Sequence, residues 1–280
     1  PNVESVIVGG DLPATVNLPS AKTFVSNGAT AQGATTITVN GTDQFSIAAT
    51  SFTGTVNITS SGTVDLSQVT EAVQLDIDAP TVNLSGLTTI GGATTIVASS
   101  IDLSGLTTIA GATTLSATTV DISSLETTSA VVSIVGADTL GKLALTSLGA
   151  DFLASNVTVF DAEALATTGD ASNTVTIDIA DGATVHLKNL GATTDLVDFA
   201  TIATLKLFEQ DTDIDFSTAA ALVTLDYTGK AAATATEGAQ NNTLTVTSGN
   251  ASLTTLTIGA GGLGTLTVSG TSLASLETNG

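Results

Sequence analysis

The sequence contains 280 residues, of which 42% are apolar and only 3% aromatic, so its apolar side chains are mostly small or β-branched. With 26 acidic residues, five lysines and no arginine, its formal net charge is −21, which excludes nucleic acid and anionic lipid as partners because both are bound through cationic side chains. Cysteine is absent, which excludes disulfides and thiolate metal sites, and no apolar run reaches the roughly 18 residues of a membrane span, so no membrane insertion is expected.

Residues 1–45 are predicted to form an N-terminal strand segment and a cap. The stretch from Val3 to Val8 alternates in hydropathy and is followed by Gly9 and Gly10. This pattern is typical of a strand that leaves its own domain and completes the sheet of a neighbouring molecule. We therefore expect this stretch to be a donor in self-assembly.

Residues 46–135 contain a regular repeat. Similar segments of the type TVDLSQV start at nearly equal steps along the chain, at Ser46, Thr63, Thr81, Ser100 and Thr119. A second short β-type segment follows each of them, near Val56 and at Ala72, Ala93, Ala112 and Ala130. A fixed period of about 20 residues is the mark of a solenoid, and it is too short for a βαβ unit.

The fold class predicted from this repeat is all-β. We expect a flattened parallel β-solenoid with ~17–20-residue two-strand repeats, in which each turn of the chain adds one rung to two parallel sheets. The alternation along TVDLSQV places Val64 and Leu66 inside, and Thr63 and Asp65 outside. The alternative is a set of β-sandwich domains whose strands resemble one another by chance.

The rest of the chain is less regular until its last part. Residues 136–240 are predicted to form irregular β repeats with insertions. Residues 241–280 are predicted to form regular ten-residue units of the type LxxLxV, which start at Leu253, Leu263 and Leu273.

One stretch of the irregular part is a candidate metal site. Glu209, Asp211, Asp213 and Asp215 alternate along one strand face, where four carboxylates repel one another. A hard cation such as calcium relieves this repulsion through oxygen ligands. The alternative is an acidic strand face that water solvates.

Two further sets of polar residues have weaker functional signals. Asp65, Asn83, Asp102 and Asp121 are equivalent in the aligned repeats, so they should stack on neighbouring rungs about 4.8 Å apart. Such acids share a proton or a cation, or they lean apart into solvent, which is the interpretation that we favour. The only histidine, His186, is predicted to face outward beside Lys188, as an ordinary exposed strand residue.

The segments LSGLTTIGGATTI, LTTLTIGAGGLGTLTV and TSLASLE resemble the degenerate leucine-rich-like repeats of bacterial cell-surface and secreted proteins. Their Thr, Ala, Ser and Gly content is similar to that of surface-layer and adhesin solenoids. The resemblance covers residues 46–128 and 253–277. It implies an extracellular or cell-surface location and a structural, adhesive or assembly role, and it carries over no site residues.

The repetition itself favours a structural function. An uncapped end rung can add another rung from the next molecule, so the expected partner is a second copy of the chain. The first hypothesis is a self-assembling subunit of a bacterial extracellular filament, sheath or surface layer. The alternative is an adhesin or glycan-binding solenoid that holds a surface glycan. An enzyme acting on polysaccharide is a distant third, since no catalytic motif is present, so the chain is not expected to be an enzyme.

Overall fold

The computed structural model describes two long stretches of the chain and a series of strands around them. The described residues are 5–8, 15–18, 23–26, 31–32, 35–39, 45–47, 51–137, 140–162, 167–168, 175–188, 194–196, 202–210, 214–215, 219–229, 242–246, 252–259, 263–268 and 273–278. The chain divides into two compact units, Pro1–Gly141 and Lys142–Gly280. The four segments predicted from the sequence rest on repeat regularity rather than on compactness, and they stay a prediction.

The first unit contains eighteen described strands. They are β1 (Ser5–Val8), β2 (Thr15–Leu18), β3 (Thr23–Ser26), β4 (Ala31–Gln32), β5 (Thr35–Val39), β6 (Phe45–Ile47), β7 (Ser51–Ser60), β8 (Thr63–Asp65), β9 (Glu71–Asp78), β10 (Thr81–Asn83), β11 (Thr89–Ile90), β12 (Thr94–Val97), β13 (Ser100–Asp102), β14 (Thr108–Ile109), β15 (Thr113–Ser116), β16 (Thr119–Asp121), β17 (Thr127–Thr128) and β18 (Val132–Val135).

The second unit contains fourteen described strands. They are β19 (Ser147–Leu148), β20 (Phe152–Ala154), β21 (Val159–Ala162), β22 (Thr167–Thr168), β23 (Val175–Ile179), β24 (Thr184–Lys188), β25 (Thr194–Leu196), β26 (Thr204–Gln210), β27 (Ile214–Asp215), β28 (Thr224–Gly229), β29 (Asn242–Val246), β30 (Thr255–Ile258), β31 (Leu263–Val268) and β32 (Ser275–Thr278). No helix among the residues described here is long and apolar enough to cross a membrane.

Parallel pairing at a step of one repeat builds the first unit. Sheet 1 has the strand order β1-β3-β6-β8-β10-β13-β16. In this sheet Thr81 pairs with Thr63 on one side and with Ser100 on the other, so neighbouring strands are one repeat apart in sequence. The predicted parallel β-solenoid is therefore confirmed. The β-sandwich alternative is wrong, because a sandwich is built from antiparallel strands.

The other face of the turn, sheet 2, has one strand in some turns and two in others. The long strand β9 pairs with both β11 and β12 of the next turn, and β7 pairs with both β4 and β5 of the turn before it. The turns that begin at Thr81, Ser100 and Thr119 therefore have three strands each, where the sequence predicted two. The division falls at Gly91 and Gly92, between β11 and β12, because the chain bends there before β12 begins.

Columns of apolar side chains fill the interior. In the turn that begins at Thr81, the side chains of Val82, Leu84, Leu87 and Ile96 are all fully buried. Their equivalents one turn later, among them Leu103 and Leu106, are buried in the same way. Full burial of one such side chain contributes about 1.5–3 kcal/mol to stability. Because one turn of the chain is only one residue layer thick, its apolar side chains are fully buried only when another turn packs on each side of it.

Two threonines belong to this interior, although the residue type suits either face of a strand. Thr94 and Thr113 are 3% and 2% exposed. The amide of Leu75 donates to Oγ1 of Thr94 at 3.2 Å, and Oγ1 of Thr113 donates to the carbonyl of Gly111 at 3.0 Å. These bonds offset the cost of placing a hydroxyl among apolar neighbours.

The second unit repeats the same construction with longer steps. Sheet 3 has the order β21-β24-β26-β28-β30-β32, and sheet 4 has the order β27-β29-β31. β30 and β32 lie in sheet 3 while β31, between them in sequence, lies in sheet 4. The units predicted at Leu253, Leu263 and Leu273 are thus half-turns that alternate between two sheets, and one full turn runs from Thr255 to its paired residue Ser275.

Glycine allows the rungs to approach closely at the first corner of the turn. A Cβ built on Gly105 would collide with the carbonyl of Ser85 on the preceding turn. A Cβ on Gly91 would instead lie 3.7 Å from the nearest atom, the carbonyl oxygen of Ala72, which is an ordinary contact. The two positions therefore form a matched pair for testing the rung spacing.

We expect Gly105→Ala to lower the free energy of unfolding by more than about 1 kcal/mol, because the backbone must move to admit the methyl group. Gly91→Ala is expected to change the same quantity by less than about 0.5 kcal/mol in the destabilising direction, since its methyl group has room and the unfolded chain loses freedom. Chemical denaturation of both variants measures the difference. Equal losses in the two variants would contradict the rung spacing described above.

Candidate functional site

The predicted metal site falls largely outside the described residues. Asp211 and Asp213 lie outside them, and for Glu209 and Asp215 only the backbone is described, in β26 and β27. Within the described part of the chain, no group of three or more His, Cys, Asp or Glu side chains is placed to hold a metal ion. A calcium site at the four predicted residues stays a prediction.

The aligned column of acids has a structural role at the first corner. The side-chain oxygen Oδ1 of Asp102 accepts a hydrogen bond from the amide of Ser104 at 3.0 Å. The carboxamide oxygen of Asn83 does the same for Ser85 at 3.1 Å. Each is an Asx turn, in which the side chain mimics a backbone carbonyl and begins the bend. Asp65 and Asp121 make the equivalent bonds.

This turn explains why aspartate and asparagine alternate in the column without a change of structure. The amide donor needs one acceptor oxygen, which a carboxylate and a carboxamide both supply. Register pairs Asn83 with Asp102 and Asp102 with Asp121 on adjacent strands. Like charges at this spacing repel, so a carboxylate at Asp102 carries an electrostatic cost that Asn83 avoids.

A second column of polar residues lies on sheet 3 and was missed by sequence reasoning. Register places Asp161 beside His186, His186 beside Lys206, and Lys206 beside Asp226. Nδ1 of His186 is 3.4 Å from Oδ2 of Asp161, and the two side chains are only 16% and 20% exposed. We call these four residues the mixed column.

The mixed column gathers rare basic side chains. The whole chain has five lysines and one histidine, and His186 and Lys206 lie on adjacent strands with an acid at each end. Opposite charges on neighbouring strands stabilise a sheet by a few tenths to about 1 kcal/mol per pair. Lys206 and Asp226 form such a pair, and His186 lies between Lys206 and Asp161.

The prediction that His186 is an ordinary exposed strand residue beside Lys188 is wrong in its exposure, because the side chain is only 16% exposed. The polar neighbours of His186 across the sheet come from other turns, Asp161 and Lys206. The signal that could have found them is the shared threonine two residues earlier. Thr184, Thr204 and Thr224 pair with one another and give the segments TVH, TLK and TLD one common register.

Two grooves lie on the described surface of the first unit. One has a volume of about 190 Å³ and is lined by Phe52, Val73 and Glu71 among others. The second, of about 520 Å³, lies at the corner formed by Ser60, Pro80 and neighbouring residues, with Asp78 as its charged side chain. Each groove has one carboxylate in its lining, and neither brings two titratable groups together for acid–base chemistry.

The outer edge of sheet 3 is the remaining feature. Leu276 of β32 is in register with the buried column of Leu205, Leu225 and Leu256, each 0% exposed. Leu276 itself is 52% exposed, because β32 pairs with β30 on one side and is the last strand in the order of sheet 3. Leu276 is thus an apolar residue in a core register position that the described part of the chain leaves half exposed.

Substitutions of Asp102 distinguish the contribution of the Asx turn to stability from that of the negative charge. Asp102→Asn keeps the acceptor for Ser104 and removes the repulsion from Asp121, so we expect its free energy of unfolding to equal or exceed that of the wild type. Asp102→Ala removes the acceptor as well and is expected to be about 1 kcal/mol less stable than Asp102→Asn. Chemical denaturation at low and high salt checks this order. Equal stability of the two variants would contradict the role of the Asx turn.

Comparison with known proteins adds no relative. The sequence matches no family model, no curated protein and no solved structure.

Proposed function

We propose that this chain is a structural protein whose copies assemble rung upon rung, as a subunit of a bacterial extracellular filament, sheath or surface layer. The observation that carries the proposal is the parallel stacking of near-identical turns, in which Thr81 pairs with Thr63 of the turn before and with Ser100 of the turn after. A rung of another copy laid on such a turn would add backbone pairing and would cover apolar side chains such as Leu276, which is 52% exposed.

The repeat supports the same proposal through self-complementarity. Each turn recognises the next by backbone pairing and by placing like residues together, for example Thr89 with Thr108 and Thr108 with Thr127. A surface that accepts a turn of its own chain therefore has the chemistry to accept a turn from a second molecule. The absence of cysteine and methionine removes the side chains most readily oxidised, which suits a long-lived extracellular protein.

Charge sets the conditions for assembly. At −21 per copy, stacked molecules repel, and each exposed pair of like charges costs about 1 kcal/mol at contact in water and less in salt. Assembly should therefore weaken at low ionic strength and strengthen with divalent cations. The pairing of Lys206 with Asp226 in the mixed column limits this repulsion on sheet 3.

Binding of a surface glycan by an adhesin is the second candidate. It is favoured by the outward columns of sheet 3, where the hydroxyls of Thr184, Thr204 and Thr224 lie two residues before His186 and Lys206. A regular array of hydroxyl and charged groups offers repeated hydrogen-bond partners to a sugar polymer. An adhesin of this kind would bind glycan as a monomer.

The test compares Leu276→Asp with Thr255→Asp, which adds the same charge to the outward hydroxyl column one rung further in. We expect the wild type and Thr255→Asp to form large assemblies in physiological salt, and Leu276→Asp to stay monomeric with an unchanged circular dichroism spectrum. Sedimentation velocity and negative-stain electron microscopy measure the outcome.

Two results would contradict the structural proposal. One is a Leu276→Asp variant that assembles as well as the wild type. The other is a wild-type protein that remains monomeric at high concentration with both salt and calcium present. A monomer that also binds a defined glycan in calorimetry would establish the adhesin in its place.

A further inference from the structure

The strand predicted around Val3 to Val8 as a donor to a neighbouring molecule is paired within its own chain. Ser5 of β1 pairs in parallel with Thr23 of β3, so this strand belongs to a turn of its own molecule. The outward faces of the sheets are then the surfaces on which copies can touch beside the contacts between stacked turns.

Sheet 2 has a group of exposed valines on its outward face. Among the described residues of the first unit, the large apolar side chains that are exposed are Val73, Val97, Val131 and Val135. They lie in β9, β12 and β18 or directly before β18. Single scattered apolar side chains are normal on a protein surface, whereas a group of them on one face is typical of an interaction surface.

Register brings two of these valines into one column. Val97 pairs with Ser116 of the next turn, and Ser116 pairs with Val135 of the turn after that. The two valines are therefore about 9.6 Å apart, with a small side chain between them. They are 43% and 48% exposed, so the column presents two apolar side chains and a recess at Ser116.

The outward positions around this column carry no charge. We call the six outward residues of β12, β15 and β18 the valine face; they are Thr95, Val97, Thr114, Ser116, Ser133 and Val135. In the same three turns, sheet 1 has the carboxylates of Asp102 and Asp121 at outward positions. On sheet 2 itself, the turn before the valine face has Asp76 and Asp78 in the same two columns.

Charge indicates which partner fits the valine face. The chain has a net charge of −21, so a cationic partner would be drawn to its carboxylates rather than to an uncharged face. Two copies of the chain repel each other where carboxylates meet, and an unpaired carboxylate is costly to bury. On the valine face two copies can touch without bringing carboxylates together, which favours a second copy as the partner.

The size of the valine face limits how strongly two molecules associate. Three strands of four residues cover about 13 Å by about 14 Å, or about 190 Å², whereas a stable complex buries about 800 Å² on each partner. Two single molecules joined here would therefore dissociate. Stacked copies present the face once per copy, so the contacts add up along a stack.

We propose that stacks of this chain associate side by side in pairs through the valine face. The contact uses the same surface on both copies, so it is isologous and a two-fold axis relates them. The two sheets pack face to face about 10 Å apart, with valines of one copy in the recess beside Ser116 of the other. This inference rests on the proposed function, because only stacked copies multiply so small a contact.

The width of the assemblies in negative-stain electron microscopy tests the inference. Val97→Glu/Val135→Glu adds two carboxylates to the valine face. The matched control, Thr81→Glu/Thr119→Glu, adds the same charges on the outward face of sheet 1, also two turns apart. We expect the wild type and the control to form filaments two molecules wide, and the valine-face variant to form filaments half as wide with an unchanged circular dichroism spectrum.

A second variant covers the case in which the glutamates disturb folding. Val97→Thr/Val135→Thr keeps the β-branched shape and adds no charge, but it removes a methyl group from each apolar side chain. We expect it to fold as the wild type does and to increase the share of filaments one molecule wide. Sedimentation velocity on the wild type, below the concentration at which filaments form, should show a monomer.

Four results would count against the inference. Filaments of the valine-face variant that are as wide as those of the wild type would overturn it, and so would an equal loss of width in the control. Wild-type filaments one molecule wide would also overturn it, while leaving the proposed function standing. A wild type that forms no assemblies with salt and calcium present would overturn both proposals.

Discussion

Parallel pairing of each turn with the next is the constraint on which the described structure depends. A single turn of the chain is too thin to enclose a core, so each apolar side chain is buried only when its equivalents lie above and below it. Leu84 and Leu103 are in the same column for this reason, and both are fully buried. The same constraint selects glycine at Gly105, since the carbonyl of the preceding turn occupies the space of a side chain.

Outward polar residues also stack in columns from turn to turn, and these columns differ between the two units. In the first unit the outward column holds Asx turns, and the backbone amide of Ser104 explains Asp102 without any ligand. In the second unit the mixed column sets His186 beside Asp161 and Lys206 beside Asp226. A residue in such a protein is therefore understood through its neighbours one turn away, and this favours a function that comes from stacking more of the same turns.

The sequence predicted those parts of the fold in which the repeat is nearly exact. The predicted starts at Thr63, Thr81, Ser100 and Thr119 are all in register in sheet 1. The predicted start at Ser46 is wrong by two residues, because Ser46 pairs with Asp65. Other features of the fold cannot be read from an alignment of the repeats. The chain bends at Gly92, so the inward and outward alternation starts anew in β12 and Thr94 faces inward. Its hydroxyl group is tolerated there because it accepts a hydrogen bond from the amide of Leu75. The partners of His186 come from the preceding and the following turn, and the unequal lengths of these turns hide the register.

Duplication of one turn tests the dependence of each turn on its neighbours most directly. A second copy of residues 100–118 inserted after residue 118 would add one complete rung, because Ser100 pairs with Thr119 at this step. The account predicts a folded protein with a larger β signal in circular dichroism and a free energy of unfolding no lower than that of the wild type. A copy of residues 100–109 alone is the control and should destabilise the chain, since half a turn puts every later residue out of register. An unfolded full-turn variant, or equal stability of the two insertions, would contradict the account.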